Sequence, residues 1–149
     1  MKKTLRQLTM VYYSVYAAAI LAATSGYYIL QSGFRIDPLS ETGTILNTLL
    51  IILIIGNIPL TLAFFNKKTK VWASLDDQEL RLSNYRKYGT YRIAIIGLAL
   101  VLGVIFYYIM SSQSMIFSAG IAAIALFFCK PSESKIMTEL NLSDNNLND

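Results

Sequence analysis

Residues 93–129 read IAIIGLALVLGVIFYYIMSSQSMIFSAGIAAIALFFC, 37 residues with no ionisable side chain besides tyrosine and the single cysteine. As one helix this run would be ~55 Å long, against a bilayer core of ~30 Å. Its middle, Ser111-Ser112-Gln113-Ser114, is polar and small, and predicts a helical hairpin with spans at 93–110 and 113–129. The second span is short for a crossing that needs ~20 apolar residues, so three spans are the competing count. Pro131, with no N–H to continue the ladder, marks where this helix stops.

Working outward, two more windows carry no charge: 7–34, of 28 residues, and 42–66, of 25. Each holds one helix, at 8–30 and 45–65. The expected fold is an all-α membrane protein, a four-transmembrane-helix bundle over 1–131. A polar tail follows over 132–149, disordered apart from a short helical turn near 136–140. Composition agrees. Hydrophobic residues are 54% of the 149 and charged ones 15%, where a soluble domain carries about 25% charged. A soluble chain this short could not bury so much apolar surface. A lysine-led start and a long apolar run resemble a signal peptide, with Ala22-Ala23-Thr24-Ser25 as the cleavage region. The run exceeds the ~7–15 residues of a signal core, so an uncleaved span is expected.

Orientation follows from lysine and arginine. Lys2, Lys3 and Arg6 precede the first span, and Arg35 alone follows it. Seven basic residues, from Lys67 to Arg92, occupy the connection 66–92. The Ser-rich turn has none, and Lys130 and Lys135 follow the last span. This alternation places both termini and the basic connection in the cytoplasm. Tyrosines sort with it: Tyr12, Tyr13, Tyr16, Tyr85, Tyr88 and Tyr91 form an inner belt, and Tyr27, Tyr28, Tyr107 and Tyr108 an outer one. The lysine-rich start and Asn/Asp-rich tail have a bacterial look, which gives the inner membrane as the expected location.

Within 66–92, Ser74-Leu75-Asp76-Asp77 reads as a weak capping box, acids lead and bases trail as the helix dipole prefers, and Gly89 reads as a stop. A short interfacial helix over 75–88 is predicted. Trp72, Leu75, Leu82 and Tyr85 share one of its faces, turned to lipid, to the spans or to a docking partner. Asn57 and Pro59 fall inside the second span, and predict a kink and a polar contact to another helix. That pair is the candidate substrate site of a transporter. Small residues recur at four-residue spacing: Ser14, Ala18, Ala22 and Gly26; Ala99 and Gly103; Ala119 and Ala123. They allow close helix packing within the chain or between copies. Tyr27-Tyr28-Ile29-Leu30 resembles Tyr107-Tyr108-Ile109-Met110 and hints at duplicated hairpins.

Chemistry is sparse. There is no histidine, which removes the commonest general base and metal ligand. Asp76, Asp77 and Glu79 could suggest a magnesium site, but acids at a helix start more often serve its dipole. Lone Cys129 reads as a buried thiol or an acylation site at the interface. The basic residues flank spans instead of lining one soluble face, so nucleic acid is not expected as a partner. Small four-span multidrug exporters have this general shape but depend on an acid in the first span, where none lies here. The leading expectation is a non-catalytic subunit or scaffold of a membrane complex, with no cofactor. Its partners would be the bilayer and either another membrane protein or further copies. A small oligomeric transporter or channel centred on Asn57 and Pro59 comes second, and a membrane enzyme using loop acids third.

Overall fold

Five helices make up the computed structural model, which describes residues 1–142. They are α1 (Lys2–Gln31), α2 (Glu41–Ala73), α3 (Gln78–Met110), α4 (Gln113–Phe128) and α5 (Glu133–Leu140), with no strand among the described residues. α1, α2 and α3 are each long and apolar enough to cross a membrane. α4, at 16 residues, reaches that length only together with α5, from which it is bent by 77°. The chain therefore has three to four helices able to cross, as a multi-pass membrane protein would.

The decisive run does break at its serines. Ser111 ends α3 in the left-handed conformation, with φ 50°, and Ser112 starts α4 from extended backbone. α3 and α4 then fold back on each other. A Cβ built on Gly103 would stand 3.1 Å from the Ala119 Cα, and these two residues lie equally far in sequence from Ser111. Glycine against alanine lets the two backbones approach where a larger side chain would hold them apart.

α3 is the hub, with α1 on one flank and α2 and α4 on the other. α1 runs parallel to α3: Leu8 meets Gly89, Val15 meets Gly97, and Gly26 meets Tyr108. The pairs Tyr27-Tyr28 and Tyr107-Tyr108 thus reach the same level. Yet α1 packs mainly on α3 and far less on α2, its neighbour in sequence, so α1 and α2 do not repeat the α3–α4 hairpin. The connection between α1 and α2 passes over the end of α3, where the Ile36 N–H donates to the Ile109 carbonyl at 3.0 Å. At the same end the Ser112 hydroxyl donates to Asn47 Oδ1 at 3.0 Å.

The basic end departs from expectation. Residues 66–73 continue α2, and α3 begins at Gln78, so the connection is only 74–77 and the separate helix over 75–88 does not exist. Gly89 is not a stop but a contact: a Cβ there would stand 3.1 Å from Leu8 Cδ2. The buried stripe of α3 runs unbroken through Tyr85, Gly89, Arg92, Ile96 and Gly103. That continuity keeps the helix intact where local signals suggested an end. Ser74 caps the C-terminus of α2, while Asp77 caps the start of α3 by accepting from the Glu79 and Leu80 N–H groups at 2.9 and 3.3 Å. At 33 residues each, α2 and α3 measure ~50 Å and overshoot a ~30 Å core by roughly 20 Å.

The basic stub is closed by α5. Ser132 caps it by accepting from the Lys135 N–H, and Ile136 and Leu140 are fully buried. The expected disorder therefore does not begin at 132. That part of the tail buries enough apolar surface to fold, and residues 143–149 lie outside the described residues.

Candidate functional site

Arg92 is the one charged residue buried among the described residues, at 7% exposure. It stands on the core stripe of α3, seven residues from Tyr85 and seven from Ala99, one residue ahead of the apolar run. Its guanidinium lies 3.7 Å over the Phe65 ring of α2. Stacking of this kind is favourable when desolvated, but it occupies only a face of the cation. The N–H donors lie in the guanidinium plane and still need acceptors. Arg92 Nε is buried and has no hydrogen-bond partner.

Aromatic rings surround this cation. Phe65 packs edge-on against Tyr85, with centroids 5.3 Å apart, and against Trp72 at 6.0 Å. Trp72 lies 4.9 Å from Tyr88, and Tyr88 neighbours both Phe64 and Tyr91. Below this layer the Tyr85 hydroxyl donates to the Glu139 carboxylate of α5 at 2.6 Å. Arg81 donates to the Leu75 and Leu140 carbonyls, and Lys135 to the Phe128 carbonyl at 2.6 Å. α5 is thus latched by apolar burial and by hydrogen bonds to the bundle.

Between α2 and α3 the same residues enclose a cleft of about 210 Å³, lined by Thr61, Phe64, Phe65, Tyr88, Tyr91, Arg92 and Ile95. Phe65 and Arg92 form its buried end; Phe64 and Tyr91, each 54% exposed, form its mouth. Lys68 stands beside that mouth, its Nζ 5.7 Å from the Phe64 centroid. On the other side of Tyr91 lies a second, more open hollow against α1, lined by Gln7, Ser83, Arg86, Lys87 and Thr90.

The residues singled out from the sequence fall elsewhere or into supporting roles. Asn57 does not reach another helix: its Oδ1 accepts from the Thr61 hydroxyl one turn on, at 3.3 Å. Pro59 is exposed, and α2 runs through it without a break. Trp72 and Tyr85 are buried, and Leu75 and Leu82 pack against the core. That face is turned into the protein, with Leu75 and Leu82 only partly covered. Tyr85 and Tyr12 are likewise core residues and not members of a headgroup belt. Cys129 is buried at the C-terminus of α4. Ala22, Gly26, Ala99, Gly103 and Ala119 are used inside the chain, whereas Ser14 and Ala18 face outward.

Arg92 was not singled out from the sequence. At the edge of an apolar run it reads as one more flanking charge, although its heptad register with Tyr85 and Ala99 is visible there. Comparison of the chain with family models, curated proteins and solved structures found no match.

Proposed function

We propose that this chain is a non-catalytic subunit or scaffold of a complex in a bacterial inner membrane, with both termini in the cytoplasm. The observation that carries this is the bare face of α1. α1 packs mainly on α3, and Ser14, Ala17, Ala18, Leu21 and Ser25 stay exposed on its far side. The hydroxyls of Ser14 and Ser25 are satisfied by their own helix, through the Val11 and Leu21 carbonyls. A face of four small residues around Leu21, with internally satisfied hydroxyls, suits close approach of another transmembrane helix. Orientation is supported by charge: the ends that carry the lysine and arginine clusters meet at one end of the bundle, and only Arg35 lies at the other. The transporter reading is weaker, because Asn57 is engaged within α2. The enzyme reading loses Asp77 to a cap.

The test is purification of the full chain from its host in nanodiscs, with intact-mass analysis, beside Ser14→Leu/Ala18→Leu. The expected result is a second membrane protein at fixed ratio, lost from the variant while insertion is unchanged. A homogeneous oligomer of this chain alone that conducts solute would overturn the subunit reading.

A further inference from the structure

We infer that the cleft between α2 and α3 is a binding site for an anionic phospholipid, with the lipid phosphate on Arg92 and the glycerol and upper acyl chain against Phe64, Tyr88 and Tyr91. Three observations converge. Arg92 is buried, stacked on one face only, and its Nε has no acceptor. A buried donor without a partner is unfavourable enough to be rare, and guanidinium N–H groups pair with phosphate oxygens in a planar, two-pronged geometry. The walls above it are aromatic and aliphatic, as an acyl chain and glycerol require and a hydrated free ion does not. The level is right as well: Arg92 immediately precedes the apolar run of α3, where headgroups sit, and Lys68 stands at the mouth. The acid that α5 brings close, Glu139, accepts from Tyr85.

Trp72 supplies the probe, being the sole tryptophan of the chain and 4.9 Å from Tyr88 of the cleft wall. The full chain is reconstituted in phosphatidylcholine bilayers. A small fraction of phosphatidylglycerol is added, carrying a nitroxide high on one acyl chain, next to the glycerol. Quenching of Trp72 is expected to saturate at low mole fraction. The same label on phosphatidylcholine is expected to quench only in proportion to its amount. Arg92→Gln should weaken the saturable phase about tenfold, the value of one charge-assisted hydrogen bond. Phe64→Ala, at the exposed mouth and compatible with folding, should weaken it as well. Lys87→Gln, an exposed charge outside the cleft, should leave it unchanged.

Equal quenching by the two labelled lipids would overturn the proposal. So would a phosphatidylglycerol preference that survives both Arg92→Gln and Phe64→Ala, since general attraction to the basic surface would then explain it. Loss of the saturable phase on adding inorganic phosphate would assign the site to a soluble anion and overturn the lipid assignment. Because the readout is lipid contact, it stands or falls independently of any partner protein on α1.

Discussion

Gly97 and Gly56 show how differently one residue type is used. A Cβ on Gly97 would come 2.5 Å from Val15 Cγ1, while one on Gly56 meets nothing within 4 Å. Val15 is β-branched and stiff at χ1, so it cannot swing aside. Gly97→Ala is therefore expected to lower stability by about 1–3 kcal/mol through overpacking of α1 on α3. Gly56→Ala should be neutral or mildly stabilising, as helix propensity dictates. Thermal unfolding in detergent, followed by the fluorescence of Trp72, compares the two; equal midpoints would contradict the α1–α3 packing. Arg92 teaches a related lesson about charge. Its chemistry was plain in the sequence, but its burial depends on Phe65, which approaches it from a distant part of the chain.

α5 is an eight-residue helix, too short to persist alone in water, so its order depends on docking. Ile136 and Leu140 supply the apolar anchor, and Glu139 the bond to Tyr85. Leu140→Ala should cost about 2–5 kcal/mol of that docking and release the element locally without unfolding the bundle. Trypsin cleavage after Lys135 in nanodiscs should then accelerate, while the spans stay protected. An unchanged cleavage rate would mean that α5 is not held as described. The sequence did place a helical turn near 136–140, but it could not show how deeply the turn is buried. The opposite error arose at α3. Acids, bases and a glycine between 76 and 89 imitate the start and stop of a separate helix, whereas tertiary packing along Tyr85, Gly89 and Arg92 carries one helix straight through.

At the scale of the whole molecule, the charge alternation makes a testable statement about sidedness. In a Cys129→Ala background, Leu39→Cys and Asp76→Cys place single thiols at opposite ends of the bundle. Leu39 is 89% exposed and Asp76 is exposed in the short connection between α2 and α3. An impermeant maleimide should label Leu39→Cys in intact cells, and Asp76→Cys only after permeabilisation. Ser112, at first sight the natural reporter in the Ser-rich turn, is buried and bonded to Asn47, and so is a poor one. Reversed labelling would invert the topology and move the Arg92 cleft to the outer leaflet.

Hydropathy and charge are local sums along the chain, so the sequence by itself determined that the chain is helical, that its long apolar runs can cross a membrane, and that the longest run breaks at Ser111–Ser112. Which helices touch is a matter of distant pairs. Only the tertiary structure decided that α3 is the hub, that α1 bypasses α2, that Trp72 and Tyr85 face inward, and that a lone arginine is enclosed by rings from two helices. Burial is decided by those partners and not by the residue, which is why Arg92, unremarkable as a flanking charge, becomes the candidate site once Phe65, Tyr88 and Tyr91 are assembled around it.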